Sequence, residues 1–341
     1  MKKILLASTA LVGFAGAAAA EISLSGYAEI GIFGGDDVET QFHNDWQVNF
    51  NFSSTTDSGV EFGGKVQIEE GNSPSAINGN VGSDDEAFWV SGAFGKVTLG
   101  ETDGAFDWAL SEIYSGTGLQ DDHSTHAGAY WFTGLDGNYD NQIMRYEYSF
   151  GDFGVALSAE MDDDINCATT VCGATGDGIT SDVSFALGGK WAGNISGVDV
   201  GAGIGYQDNG TNSVWGLSGS AGFSNGFSVA LGYADLDGIS DAVGNGTPVD
   251  SWWGIGVAYT PATMSALTLG VNYGEYDATN AVDDNPSGWG IVANYDLGGG
   301  AVAMASYGSS SGTGVTNGGA DYGAGNGNGP DTFSLGLGLS F

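Results

Sequence analysis

The feature that most constrains this chain is an alternation of apolar and polar side chains with a period of two residues, repeated along most of its length. The alternation is plainest at the end of the chain, where five apolar residues alternate with serine and glycine: Phe333, Leu335, Leu337, Leu339 and Phe341. Successive side chains of a β-strand point to opposite faces, so the pattern predicts strands with one apolar and one polar face. The same alternation recurs in 59–70, 142–150 and 153–162.

The links between the predicted strands distinguish a barrel from a soluble sandwich, which the alternation alone does not. We predict sixteen strands, among them a fourth at 85–93 and a fifteenth at 300–308. Links after even-numbered strands are short, as at 56–59, whereas links after odd-numbered strands are mostly long and acidic, as at 162–182. Outer-membrane barrels have this asymmetry, and their tilted strands need about ten residues to cross the bilayer. The prediction is therefore an all-β fold, a transmembrane antiparallel up-and-down β-barrel of sixteen strands.

The first twenty residues predict export. Lys2 and Lys3 precede an apolar stretch from Ile4 to Phe14, and small residues follow it up to Ala20. This is the pattern of a secretory signal peptide, so we assign 1–20 to the signal peptide and 21–341 to the barrel domain. The barrel domain contains no run of eighteen or more apolar residues, as a membrane-spanning helix would need.

The charge of the chain is strongly negative, with 42 acidic residues against 6 lysines and arginines. Without the two lysines of the signal peptide, four basic residues are left: Lys65, Lys96, Arg145 and Lys190. Such acidity repels phosphate backbones, so nucleic acid is excluded as a partner. It suits a preference for cations in a pore, although solubility in a saline medium is an alternative explanation.

The two cysteines, Cys167 and Cys172, are five positions apart in a polar segment. In an exported chain, an even number of cysteines indicates a disulfide. We predict a structural bond that pins the tip of a loop, since redox catalysis favours the shorter Cys-x-x-Cys spacing.

Three segments make the chain resemble a known family. They are EISLSGYAEIGIFG at 21–34, AFGKVTLGETDGAFDWAL at 93–110, and the alternating end that closes on Phe341. They resemble the general diffusion porins of Gram-negative bacteria, especially the alphaproteobacterial type. The resemblance implies a sixteen-stranded barrel in the bacterial outer membrane, usually a homotrimer, whose third external loop folds inward and narrows the lumen.

The segment 101–141 is the longest link and the predicted constriction loop. A loop beyond fifteen residues is usually functional or disordered, and this one is rich in aromatic side chains. Its stretch 105–114 suggests a short helix with one apolar face. Packing that face on the wall turns three carboxylates toward the lumen: Asp103, Asp107 and Glu112.

The resemblance also implies basic side chains on the wall opposite this loop, which create a transverse electric field. Lys65, Lys96 and Arg145 are the candidates, because the alternation places them on the lumen face. The alternative is that they only balance acidic neighbours such as Glu61 and Glu147, which belong to the same predicted constriction. The family often has clustered arginines, and this chain has one, so we expect a weaker field and a cation-preferring pore.

Three further motifs are weak as signs of chemistry. GSSSG at 308–312 matches a nucleophile motif but lies in a predicted loop with no helix after it. The segment 121–126, DDHSTH, is a weak zinc candidate. Asp136, Asn138 and Asp140 have EF-hand spacing without the turn glycine or flanking helices, so a true EF-hand is excluded. We expect no required cofactor, and a calcium ion held by these acidic loop oxygens is a hypothesis.

The sequence thus predicts a channel for passive diffusion of small hydrophilic solutes and ions through a lipid-embedded barrel, with no catalytic residue and no enzyme activity. Three alternatives are open. A barrel enzyme needs a serine or aspartate partnered with histidine near the strand ends, and a substrate-selective channel needs aromatic side chains along the lumen. A calcium-dependent adhesin needs repeats of nine residues, which the Gly- and Asp-rich segments do not show.

Overall fold

A computed structural model describes residues 21–36, 39–70, 81–114, 118–119, 126–130, 132–137, 139, 141–161, 183–239, 248–279, 285–312 and 331–341. The proposed signal peptide, Cys167, Cys172, Asn138 and Asp140 lie outside these residues. Signal cleavage and the disulfide therefore stay predictions. No helix in the described ranges is long and apolar enough to cross a membrane.

The described residues form sixteen strands and one short helix. In chain order the elements are β1 Glu21–Gly35, β2 Gln41–Thr55, β3 Glu61–Glu70, β4 Val81–Gly92, β5 Gly95–Gly100, α1 Ala105–Ala109, β6 Ile143–Phe150, β7 Phe153–Met161, β8 Val183–Ile195, β9 Val198–Asp208, β10 Ser213–Gly222, β11 Phe227–Ile239, β12 Val249–Tyr259, β13 Leu267–Ala278, β14 Ser287–Gly298, β15 Ala301–Ser311 and β16 Asp331–Ser340.

The strands close into a single antiparallel barrel in which each strand pairs with its neighbours in the sequence and β1 pairs with β16. At the closure, Tyr27 lies opposite Ser340 and Gly35 opposite Thr332. The Phe341 N–H donates to the Gly26 carbonyl at 3.0 Å, which continues the ladder to the last residue. Closure satisfies every strand edge, as a sheet in lipid requires. The predicted sixteen-stranded up-and-down barrel is confirmed.

The predicted strand ends agree with the structure within three residues except at the start of β4, and the short helix is shorter than predicted. Strand β4 begins at Val81 instead of 85, and β15 continues to Ser311 instead of 308, so most of the GSSSG motif lies in a strand. Helix α1 ends at Ala109, because Leu110 adopts an extended conformation with φ −96° and ψ 158°. The extended chain after Leu110 follows the curved wall, which a straight helix of ten residues does not do.

The two faces of the wall separate by residue type as the alternation predicts. On the outer face, large apolar side chains are exposed, including Leu335 at 56% and Leu187 at 55%. The inner-face positions between them are small or polar, such as Ser334 and Gly188. An apolar exterior around a polar interior is the arrangement of a barrel that lies in lipid and encloses water.

Aromatic side chains form two belts on the outer face, one near each end of the strands. Near the long links, neighbouring strands bring rings to centroid distances of 5.2, 5.4 and 5.6 Å in the pairs Trp215–Tyr233, Trp253–Tyr273 and Trp289–Tyr307. Near the short turns, Phe227 stacks on Tyr259 at 4.3 Å and Phe150 on Phe153 at 5.7 Å. Two such girdles mark the levels at which a membrane barrel meets the lipid headgroups.

Candidate pore constriction

The segment between β5 and β6 lies inside the barrel, against its inner wall. Its backbone N–H groups donate to hydroxyl oxygens of inward-facing serines at 2.8 to 3.0 Å, in the pairs Ala105–Ser158, Ser111–Ser218, Leu119–Ser334 and Ala127–Ser310. These serines belong to β7, β10, β16 and β15. The segment therefore runs along the wall from β7 to β16 and returns. It is the third long-side link, as predicted from the sequence.

Glycines on the inner wall give this segment its space. A Cβ atom on Gly188, Gly203 or Gly256 would overlap a carbonyl oxygen of the segment, from Ala105, Ala109 or Ile113 respectively. Backbone can approach backbone this closely only where no side chain intervenes. The many glycines of β8 to β13 thus form a smooth track on which the loop lies.

The apolar side chains of the loop form a core inside the barrel. Phe106 and Ile113 are fully buried, as the predicted apolar face requires. On the returning limb, the Phe132 ring lies 5.5 Å from Trp252 and 5.4 Å from Tyr130. Trp252 donates its indole N–H to the Gly128 carbonyl at 2.8 Å. Burial of these aromatic rings anchors the returning limb to β12.

The last part of the loop wraps its backbone around a carboxylate of the wall. Gly137, Tyr139 and Asn141 donate their N–H groups to Glu160 of β7 at 3.1, 3.2 and 2.8 Å. Glu160 is 2% exposed, so these bonds compensate the burial of its charge. No sequence motif singles out Glu160, although the alternation places it on the lumen face of β7.

Asp136 accepts two hydrogen bonds in the same region. Its Oδ2 receives the Gly104 N–H at 2.6 Å and its Oδ1 receives Gln207 Nε2 at 2.7 Å. Both carboxylate oxygens are thus engaged by protein donors. The described residues contain no group of three or more histidines, cysteines or carboxylates placed to hold a metal. Asn138 and Asp140 lie outside them, and calcium stays a hypothesis.

The opening that the loop leaves lies toward β2 to β5, whose inward side chains are long and polar. A cavity of about 430 Å³ is lined by the root of the loop and by this wall. Its charged lining residues are one lysine, Lys65, and five carboxylates: Asp85, Glu101, Asp103, Asp107 and Asp136. Asp103 is exposed, and Asp107 and Glu112 are half-buried. The cavity brings together two of the three predicted loop carboxylates, Asp103 and Asp107.

A second cavity of about 990 Å³ lies on the other side of the loop, near the short turns. Glu112, the third predicted carboxylate, lines it together with Lys190. Glu61 lies on the inner face of β3, where the Ser91 hydroxyl is 3.5 Å from its carboxylate. The predicted loop carboxylates therefore lie on two sides of the constriction, Asp103 and Asp107 on one and Glu112 on the other.

Two predicted basic residues stand on the wall, each beside a carboxylate. Lys65 Nζ lies 2.6 Å from Asp85 Oδ2, and Lys96 Nζ lies 3.4 Å from Glu147 Oε1. Both lysines are partly exposed to the lumen. They lie on the inner face and are paired with wall carboxylates at the same time. Their role in a transverse field stays a prediction.

Arg145 lies at the root of the loop and is only 7% exposed. Its Nη1 donates to the carbonyl oxygen of Asp103. Its guanidinium is also 3.9 Å from the Asp103 carboxylate and 3.7 Å from Glu147 Oε2. Arg145 thus contacts the loop directly, on the side where the loop leaves the wall.

Lys190 of β8 is a residue to which the sequence analysis gave no role. Its Nζ donates to the Trp108 carbonyl at 2.8 Å and lies 3.6 Å from the centre of the Trp108 ring. The ring itself lies over Gly154, where an added Cβ would come within 2.9 Å of it. In the sequence, the alternation of β8 places Lys190 on the inner face, and this is the one feature that could have identified it.

Burial and neighbouring charges raise the pKa values of two carboxyl groups of the loop, Asp107 and Asp136. Burial, followed by repulsion from Asp103, Asp136 and Glu112, raises the pKa of Asp107 to about 9. Burial raises the pKa of Asp136 to about 6, opposed by the hydrogen bond from the Gly104 N–H. At neutral pH, Asp107 is therefore mostly protonated and Asp136 mostly ionised.

The enzyme alternative would need a histidine beside a serine or an aspartate. His126, His43 and Ser310 instead make buried hydrogen bonds within the barrel and to the loop. Burial lowers the pKa of His126 to about 4, and its ring bonds to Asn272. His43 is buried beside Glu29, with Nε2 3.0 Å from Oε2. Ser310, the centre of GSSSG, is 6% exposed and accepts a bond from the loop, so it holds the loop to β15.

Comparisons with known proteins agree with this architecture. A family model described as Gram-negative porin matches residues 7–315. A porin of Rhodobacter capsulatus is 35% identical over 145 residues, which span 40% of this chain and 44% of that protein. The fold is similar to that of a Rhodopseudomonas blastica porin mutant, with a TM-score of 0.66 at 19% identity. It is also similar to a porin structure refined at 1.8 Å resolution, with a TM-score of 0.62 at 25% identity.

Each of these two structural alignments covers 94% of this chain and all of the compared chain. The family model spans well over half of the sequence, and the closed sixteen-stranded barrel agrees with it. The chain belongs to the Gram-negative porins, β-barrel channels of the bacterial outer membrane.

Proposed function

We propose that this porin is a passive, cation-preferring channel for small hydrophilic solutes and ions. The observation that carries the proposal is the setting of the four basic side chains in residues 21–341. All four lie on the inner face, and each has its charge next to a carboxylate or a backbone carbonyl: Lys65, Lys96, Arg145 and Lys190. The pore wall therefore offers little uncompensated positive charge.

Negative charge, in contrast, is in excess along the opening. Asp103 and Glu112 are accessible on the loop, and Glu61 and Glu147 lie on the wall that faces it. Carboxylates that line a pore favour cations over anions. The transverse field between the loop and Lys65 or Lys96 is weakened, because each lysine is paired with a carboxylate.

Reversal potential in a planar bilayer under a salt gradient tests this proposal. We expect stepwise, long-lived openings with a cation-preferring reversal potential. Asp103→Asn and Glu112→Gln are each expected to move this potential toward zero by removing one accessible charge. Asp235→Asn, on the outer face opposite Trp215, removes the same charge outside the lumen and is the matched control.

Anion preference, or equal effects of lumen and control variants, would refute the proposed selectivity. A silent protein would refute the open channel.

We propose also that the protein works as a homotrimer embedded in outer-membrane lipid. Every strand from β9 to β15 has an outward Trp or Tyr near the long links, whereas β1 has no outward aromatic residue, only Ile, Leu, Ala and Gly. A strand without girdle residues is suited to a protein neighbour rather than to the lipid interface. We expect native mass spectrometry of the detergent-extracted protein to give a trimer mass, and channel closures to occur in three equal steps. A monomer mass with single-step closure would contradict this assembly.

A further inference from the structure

We propose that Arg145 and Lys190 act as positioning residues that clamp helix α1 to the wall, and that the width of the pore depends on this clamp. Arg145 donates to the Asp103 carbonyl, two residues before the helix begins. Lys190 donates to the Trp108 carbonyl in the last turn of the helix, at 2.8 Å. The two cations thus hold the two ends of a helix that is five residues long.

The helix depends on such contacts because it is too short to be stable by itself. Isolated helices shorter than about 12–15 residues are marginal in water. The glycine track admits α1 closely but supplies few side chains to hold it, since Gly188, Gly203 and Gly205 have none. The Ser158 hydroxyl accepts one bond, from the Ala105 N–H at 2.8 Å, and the Asp136 carboxylate accepts another, from the Gly104 N–H at 2.6 Å. Among the side chains described around α1, Arg145 and Lys190 are the donors, to the Asp103 and Trp108 carbonyls.

Lys190 has a second contact that a simple surface charge would lack. Its ammonium lies 3.6 Å from the centre of the Trp108 ring, so it binds the carbonyl and the ring of one residue together. A cation over an aromatic ring that also donates to a backbone carbonyl fixes both the backbone and the side chain of Trp108. Lys65 and Lys96, in contrast, are paired with carboxylates of the wall, and the ring that Lys96 approaches, Trp89 at 5.7 Å, belongs to the wall and not to the loop.

Without the clamp, α1 can move only toward the lumen, because the barrel wall blocks movement in the opposite direction. The inference deepens the proposed function, since it names residues that set the width of the same pore, but it does not depend on cation preference. A hydrogen bond to a charged group contributes enough that its loss raises the population of the released helix by roughly 10- to 100-fold.

The test is single-channel recording of Lys190→Met, with hydrogen exchange of the peptide covering 103–110 measured by mass spectrometry. We expect the time in a lower-conductance level, and the exchange rate of this peptide, to rise roughly 10- to 100-fold. Lys190→Arg keeps the donor and the charge, and is expected to restore both readouts. Arg145→Lys, which keeps the charge but loses the planar fork, is expected to give an intermediate result.

Lys65→Met is the matched control, because Lys65 is paired with Asp85, a carboxylate that forms no ion pair with Arg145 or Lys190 in the described part of the chain. It removes one lumen charge and is expected to change the reversal potential but not the exchange of 103–110. Equal exchange in Lys190→Met and the wild type would overturn the clamp, even if the channel is cation-preferring. Equal exchange in Lys65→Met and Lys190→Met would also overturn it, because charge alone would then explain the effect. An anion-preferring wild type with an intact Lys190 effect would refute only the proposed selectivity.

Discussion

Replacing Gly188 with valine is expected to push the constriction loop off the wall and to reduce the conductance of the pore. A Cβ at this position overlaps the Ala105 carbonyl oxygen, and the ladder between β7 and β9 holds the wall in place. The loop must therefore move toward the lumen. Overpacking of this kind costs about 1–3 kcal/mol. Single-channel conductance and thermal unfolding in detergent measure the two effects.

Gly189→Val supplies the control for the same strand and the same side chain. Gly189 faces outward, and an added Cβ there meets only Ile204 Cγ2 at 3.7 Å, an ordinary contact. We expect it to leave conductance at the wild-type value, because valine suits a lipid-facing strand position. Equal conductance of the Gly188 variant and the wild type would show that the loop does not lie on this glycine track.

The cation preference of the channel is expected to change with pH in two separate steps. Asp136, with a pKa of about 6, loses its charge as the pH falls from 7 to 5, so cation preference decreases. Asp107, with a pKa of about 9, gains its charge as the pH rises from 7 to 10, so cation preference increases. Reversal potentials at these three pH values give both steps.

Asp107→Asn separates this mechanism from the titration of other groups. Because Asp107 is mostly protonated at pH 7, the variant is expected to keep the wild-type reversal potential there and to lose the upper step. Asp103→Asn, in contrast, is expected to act at pH 7. A shift at pH 7 as large in Asp107→Asn as in Asp103→Asn would show that Asp107 is ionised at neutral pH.

The same pKa shift links the pH to the stability of the loop. The pKa of Asp107 is raised in the folded state, so the protonated carboxyl is the form that folding favours. Its contribution to stability is fully present below about pH 4 and is lost as the pH rises through about 9. We therefore expect exchange of the peptide 103–110 to accelerate toward pH 9 beyond its intrinsic rate, and Asp107→Asn to remove this excess.

The barrel was predictable because its physics repeats at every strand. Lipid outside and water inside impose the same period of two on β3, β7 and β16, and the two sides of the membrane differ in link length, with short turns on one side and long loops on the other. The inner-face positions of Lys65, Lys96 and Arg145 follow from the same parity. The length and apolar content of 101–141 likewise identified the loop that folds inward.

The contacts within the constriction were not predictable from these patterns. The bonds from the loop to Glu160 and Gln207 depend on the route of an irregular segment. Parity places Arg145 on the lumen face, but it does not distinguish a residue across from the loop from one at its root. The helix ended earlier than its apolar pattern indicates, because the curvature of the wall decides where Leu110 turns.

The sequence by itself determined the strand pattern, the excess of negative charge and the identity of the inward loop, since these depend on local alternation and composition. The tertiary structure alone decided the raised pKa values of Asp107 and Asp136 and which cations contact the backbone of the loop. Burial and distance between residues far apart in the chain set both properties: burial, followed by repulsion from Asp103, Asp136 and Glu112, raises the pKa of Asp107 to about 9.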